Sequence, residues 1–218
     1  MPPSKLTSLR LYLIRHGETE WSLSDQYTGR TDLPLTAHGE GAARKVGERL
    51  KNVSFAHVLM SPLQRARQTC ALAALKPTPE IEPDLTEWDH RDYEGRTPEE
   101  IREEQPEWNL FRDGAPNGET PAQISERVDR LIAHFRTLDG NVVLFSHGHL
   151  CRVLAGRWIG RSVEQSERFL LNTASISILS YVHDRPDEPA IALWNSGADE
   201  LSNPAPVPAP VAAKGTTL

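Results

Sequence analysis

Short apolar runs alternate along this chain with longer stretches in which apolar residues recur every three or four positions. Residues 9–14 (LRLYLI), 56–60 (AHVLM) and 141–145 (NVVLF) are of the first kind and predict buried strands. Thr36 precedes a stretch with Ala43, Val46 and Leu50 on one face, which predicts a capped helix to residue 50. Ser61-Pro62 offers a cap followed by proline at the first helical position, with a helix to about residue 75. Thr120-Pro121 opens the clearest amphipathic helix, to about residue 138, with Ile124, Val128, Leu131, Ile132 and Phe135 in register. Residues 150–159 predict a further helix, 80–82 a short strand, and 175–181 with 190–194 a late pair of strands.

Strands alternating with helices predict an α/β fold, a three-layer α/β/α sandwich with a mainly parallel central sheet. The rhythm breaks between residues 84 and 119. That segment is acidic and aromatic (Trp88, Tyr93, Trp108, Phe111), with short helices expected near Pro98 and Pro106. An excursion of such length inside a compact domain is usually functional. Residues 1–8 read as an N-terminal extension and 9–200 as one domain. Residues 201–218, with proline at 204, 206, 208 and 210, read as a tail too poor in large apolar side chains to order itself.

Composition narrows the function only slightly. At 218 residues the chain can bury a substantial core. A net charge of −6 and a pI near 5.8 argue against a nucleic-acid surface, yet a few arginines in a cleft can still attract a small anion. No run approaches the roughly 18 to 20 apolar residues of a membrane span. Nor does an apolar stretch follow Lys5, so neither a signal peptide nor a membrane partner is expected, and the location expected is cytoplasmic. Cys70 and Cys151 lie in apolar, helix-like surroundings without metal-type spacing, as buried reduced thiols would.

The chemistry gathers at strand ends, where parallel α/β sheets bind ligands. Two predicted strands end in Arg15-His16-Gly17 and Ser146-His147-Gly148; a third leads into Ser61-Pro62-Leu63-Gln64-Arg65-Ala66-Arg67. If the strands are neighbours, two histidines and Arg65 or Arg67 converge at one sheet edge. Arginine forks match the oxygens of a phosphoryl group. Imidazole is a nucleophile near neutral pH, and a second, cationic imidazole could stabilise the transition state. A carboxylic acid with a raised pKa would then protonate the leaving group. The pair His147 and His149 is the best hint of a metal, but it lacks the carboxylate or cysteine company of a zinc site.

These residues resemble the histidine phosphatase superfamily, the phosphoglycerate-mutase-like proteins. The resemblance begins at Arg15-His16-Gly17-Glu18-Thr19 and runs through Tyr27-Thr28-Gly29, Leu33-Pro34-Leu35-Thr36 and the Ser61 to Thr69 segment. It continues through Leu85-Thr86-Glu87-Trp88-Asp89, Asn117-Gly118-Glu119-Thr120 and Ser146-His147-Gly148-His149. It implies His16 as the phosphorylated histidine, Arg15 and Arg65 as pocket arginines, His147 as the second histidine and Glu87 as the general acid. It also implies a substrate side formed by Ser22, Thr28 and Gly29, with Gly148, His149 and Glu119 as further contacts; His90, where the chain departs from the family, is a further candidate contact by its closeness to Glu87. No metal and no cofactor are implied.

The same resemblance favours a phosphatase over a cofactor-dependent phosphoglycerate mutase. After Glu87 the chain carries acids (Glu94, Glu99, Glu100, Glu103, Glu104) where such mutases carry a basic insertion. Glu87-Trp88-Asp89 and the Arg112 to Thr120 element look like a branch containing fungal sedoheptulose-1,7-bisphosphatases and bacterial acid-phosphatase-like proteins. Small phosphomonoesters, sugar phosphates first, are therefore the expected substrates; a protein phosphatase is the other alternative, disfavoured by a pocket walled by Trp88, Tyr93 and Trp108. That branch has Tyr-Gly where this chain has His90-Arg91, which leaves substrate identity open. A homodimer is the oligomer to test.

Overall fold

The apolar runs pair side by side because strands buried on both faces can be reached only through their edges. The computed structural model describes residues 9–197; the predicted extension (1–8) and tail (201–218) lie outside the described residues. Among these, the strands are β1 (Arg10–Arg15), β2 (His57–Met60), β3 (Glu80–Ile81), β4 (Asn141–Ser146), β5 (Ile176–Tyr181) and β6 (Pro189–Ser196). They form one sheet in the order β3-β2-β4-β1-β5-β6. The pairs β2–β3, β2–β4 and β1–β4 are parallel, and β5 is antiparallel to both β1 and β6. The sheet is thus mixed, with β5 the reversed strand.

Alternate residues of each central strand feed different cores. Leu11, Leu13, Val142 and Leu144 pack with α6 (Pro121–Phe135) and α7 (Gly148–Trp158), through Ile124, Leu131, Phe135, Leu150, Leu154 and Trp158. Tyr12, Ile14, Val143 and Phe145 face α2 (Ala37–Leu50) and α3 (Gln64–Ala73), meeting Val46, Leu50, Cys70 and Ala73. Each fully buried Leu, Ile or Phe here contributes about 1.5–3 kcal/mol of transfer free energy.

Several boundaries move for local reasons. The helix predicted from Ser61-Pro62 starts instead at Gln64, because the Ser61 hydroxyl bonds His147. It stops at Ala73, where Ala74 turns left-handed (φ 51°). The helix predicted from residue 150 begins two residues earlier, at Gly148. The polar loop after β1 holds one short helix, α1 (Glu20–Leu23), closed by a reciprocal cap between Thr19 and Ser22. The loop's Gly17 is pressed against α2: a Cβ there would lie 2.5 Å from the Gly39 carbonyl oxygen. Among the described residues no helix is long and apolar enough to cross a membrane.

The excursion is ordered by side chains rather than by a sheet. It holds α4 (Pro98–Glu104), capped by Thr97, and α5 (Leu110–Asp113), capped by Asn109 rather than beginning at Pro106. Arg127 of α6 clamps both ends. Its guanidinium donates to the carbonyls of Asp84 and Thr86 at 2.7 Å and to both Glu119 carboxylate oxygens at 2.8 and 2.6 Å. Trp88, Tyr93 and Trp108 are buried in the core beneath, so the expectation that they wall the pocket is corrected. They join the same hydrophobic cluster as the inward residues of α6 and α7, with Trp88 edge-on to Phe111 and Tyr93 edge-on to Trp108, and burial of these large faces helps close the excursion onto the domain.

Candidate active site

The register that places Arg15 opposite Ser146 carries β1 and β4 past the sheet edge together. The next residues, His16 and His147, therefore face each other with ring centroids 5.3 Å apart. His16 is tied to the sheet by its own N–H to the Ser146 carbonyl (2.9 Å). Its Nδ1 lies 2.7 Å from the Gly17 carbonyl oxygen, which can only accept, so Nδ1 carries the hydrogen and Nε2 keeps its lone pair. Burial, then the charges of Arg65 and Arg15, hold its pKa well below the usual histidine value. His16 is a neutral imidazole with a free nucleophilic nitrogen.

Arg65 is wholly buried, and each of its three nitrogens donates to the protein. Nε donates to Nδ1 of His147 (3.1 Å), Nη1 to the Thr31 carbonyl (3.0 Å) and Nη2 to the Gly29 carbonyl (2.9 Å). Burial lowers its pKa to about 10, so it remains a cation. A nitrogen accepting from Arg65 cannot also be protonated. The His147 hydrogen therefore lies on Nε2, where it is donated to the Ser61 hydroxyl at 2.7 Å. Burial, then the charge of Arg65, keeps this ring neutral in the free protein, which corrects the expectation of a cationic second imidazole.

Arg15 approaches the same floor. Nη1 donates to the Leu171 carbonyl (2.5 Å), while its buried Nε has no partner. Gly148 permits this approach, since a Cβ on it would sit 3.3 Å from that Nε. Glu87 lies across from Arg15 and is seated on the start of α7. Its carboxylate accepts from the backbone N–H of Leu150 (2.8 Å), Trp88 (2.9 Å) and His149 (3.0 Å). Burial works to raise its pKa, yet the carboxyl is held well below the usual range; the groups beside it that stay charged are the guanidinium ions of Arg15 and Arg65. The expected raised pKa is thus absent in the free protein, because a helix N-terminus favours the anion.

Above the fully buried Arg65 and His147 is a cleft of about 470 Å³ lined by Arg15, His16, Ser22, Thr28, Glu87, Gly148 and His149, with Tyr27, Arg102 and Arg152 also on its walls. Three expected contacts fall elsewhere. Gly29 is packed against Glu94 and Trp88, and it serves the site through its carbonyl to Arg65. Glu119 is outside the cleft, its carboxylate taken by Arg127. His90 is buried behind His149 and has no surface toward the cleft, while Arg91 is exposed and paired with Asp89 at 3.3 Å. Several contributors escaped the sequence reading, among them Arg152 and Ser61. Arg152 stands three residues after His149, on the same face of α7, and that spacing was the available signal. Among the described residues no group of three or more His, Cys, Asp and Glu side chains is placed to hold a metal ion.

Fold and cleft together define the class. The chain belongs to the histidine phosphatase superfamily (branch 1), whose sequence pattern matches residues 11–196, and its class is that of a phosphoric monoester hydrolase. Among its relatives, it is 36% identical over 250 aligned positions to sedoheptulose 1,7-bisphosphatase of Saccharomyces cerevisiae, covering 84% of this chain and 92% of that protein. It is 38% identical over 180 positions to an acid phosphatase of Mycobacterium tuberculosis, covering 80% and 87%. The solved structure of a Mycobacterium tuberculosis open reading frame product superposes with a TM-score of 0.80 at 34% identity, covering 87% of this chain and 98% of that one.

Proposed function

We propose that the chain hydrolyses small phosphorylated metabolites, sugar phosphates first, through a phosphohistidine at His16. The observation that carries this reading is the His16 ring itself. Nδ1 is committed to the Gly17 carbonyl, which leaves the Nε2 lone pair on a residue lining an arginine-bearing cleft. Nε2 attacks phosphorus as the bond to the leaving oxygen breaks, and Arg15 and Arg65 stabilise the charge on the non-bridging oxygens. Glu87 is ionised in the empty cleft. The incoming phosphate places negative charge beside it, favours its protonation, and so supplies the proton the leaving oxygen takes. Water then attacks the phosphohistidine, returns a proton to Glu87 and releases inorganic phosphate.

A cleft of about 470 Å³ fits a small ligand and is too confined for a folded protein surface, which favours metabolites over phosphoproteins. Its walls offer the carboxylates of Asp25 and Glu99 to sugar hydroxyls and the cations of Arg102 and Arg152 to a second anionic group. The bisphosphatase and acid-phosphatase relatives support the same substrate class. Two unpaired buried thiols, Cys70 and Cys151, fit a cytoplasmic enzyme. A panel of mono- and bisphosphorylated sugars, with phosphate release measured beside a 3-phosphoglycerate mutase assay, is the direct test. Mutase turnover exceeding phosphate release would replace this reading.

A further inference from the structure

His90 has no face on the cleft, yet its ring ends on a residue that does. It is fully buried among Tyr27, Trp88 and His149. Its Nε2 lies 3.3 Å from Nδ1 of His149, the two rings meeting edge to face at 5.0 Å, and its own Nδ1 has no hydrogen-bond partner. Burial, then repulsion from His149, pushes its pKa down to about 3, so the ring is neutral and has one N–H to place. On Nδ1 that hydrogen would be a buried donor with nothing to bond, which folded proteins avoid more strictly than an idle acceptor. The hydrogen therefore sits on Nε2 and is donated to Nδ1 of His149.

This assignment matters for Glu87. Nδ1 of His149 is also the nitrogen 3.7 Å from the Glu87 carboxylate, the position from which a protonated His149 would form an ion pair. Once Nδ1 accepts from His90, the His149 hydrogen is confined to Nε2. Glu87 keeps the backbone N–H groups of His149 and Leu150 but gains no cation from the ring. The other groups facing His149 come from every side: Arg15 of β1, Arg152 of α7 and Tyr27 from the loop after α1. The two arginines oppose its protonation and Glu87 favours it; Arg65 of α3 acts on His90.

We propose that His90 is a positioning residue: its Nε2 hydrogen fills Nδ1 of His149, keeps that ring neutral, and leaves Glu87 without an imidazolium partner, free to take up the proton it delivers. The proposal rests on Glu87 being the acid, but the tautomer of His149 can be measured without that assumption. In ¹⁵N histidine NMR of the wild-type protein between about pH 5.5 and 8, His149 is expected to show a bare Nδ1 and a protonated Nε2 throughout. A hydrogen on Nδ1 of His149 in the wild type overturns the proposal, whatever any variant does.

His90→Met removes the donor. His149 should then titrate within that window, and kcat for an alkyl phosphate should fall about 10-fold, with KM and p-nitrophenyl phosphate turnover within about 2-fold. His90→Gln can present an amide N–H where Nε2 stood and should restore both readouts. Equal losses in both variants and on both substrates mean a merely structural residue and also overturn it. If Glu87→Gln instead proves indifferent to the leaving group, the acid reading fails while the tautomer result stands on its own.

Discussion

The two sides of the cleft are built by different means. The floor, with His16, His147 and Arg65, hangs mainly on the sheet: strand register and the His16 N–H on the Ser146 carbonyl set it, and the Gly17 N–H on the Thr69 hydroxyl (2.9 Å) ties it to α3. The wall, with Glu87 and His90, belongs to an excursion held by side chains, above all Arg127, and by the Trp88 indole donating to the Glu119 carbonyl (2.6 Å). A nucleophile set by a sheet tolerates changes around it. An acid set by a clamp moves when one residue of the clamp is lost.

The largest effect should come from the floor's chemistry. His16→Ala should lower kcat by at least about 10⁴-fold and abolish an acid-labile phosphoenzyme in rapid-quench experiments, while thermal unfolding changes little. Residual turnover with a trapped phosphoenzyme would move the nucleophile elsewhere. On the wall, Arg127→Met should cost about 3–5 kcal/mol in urea unfolding, because it strands a nearly buried Glu119 carboxylate and two carbonyls. Activity in that variant should fall more for poor leaving groups than for p-nitrophenyl phosphate, since the acid is displaced and the nucleophile is not. Equal loss on both would erase the proposed difference between floor and wall.

Glu87→Gln comes next, at about 10²- to 10³-fold for an alkyl phosphate and much less for an aryl phosphate. A leaving-group dependence identical to wild type would remove its acid role. Smaller again is Arg152→Ala. The guanidinium stacks 4.5 Å over Phe111 and lines the cleft, with a buried Nε that lacks a partner. Its loss should raise KM about 10-fold for bisphosphorylated sugars and leave monophosphates nearly unchanged. A uniform rise across both would make Arg152 part of the reacting-phosphate pocket.

The same division explains what could be read in the sequence. Residues 9–14, 56–60 and 141–145 carry strong local patterns, and the strand-end histidines follow from them without any knowledge of tertiary contacts. Glu87 needed the family resemblance, because nothing local separates it from the other acids of the excursion. Glu119 and His90 were misplaced for a related reason. Their neighbours, Arg127 and His149, lie 8 and 59 positions away, and only packing shows that each faces inward to a partner rather than outward to substrate. The lowered pKa of Glu87 was equally hidden, since its carboxylate is seated on the first N–H groups of α7.

The smallest predicted effect is thermodynamic and concerns His90 alone. Its pKa is about 3 when folded and near the ordinary histidine value of about 6.5 when unfolded. Between those values the unfolded chain binds the extra proton, so stability rises with pH and is lost as pH falls below about 6.5. From pH 7 to 5.5 one such histidine removes about 1 kcal/mol. His90→Gln cannot titrate, so its urea unfolding free energy should decline over that interval by about 1 kcal/mol less than that of the wild type. Parallel declines would mean that the wall admits a proton at His90 without unfolding, and the excursion would then be looser than its clamp implies.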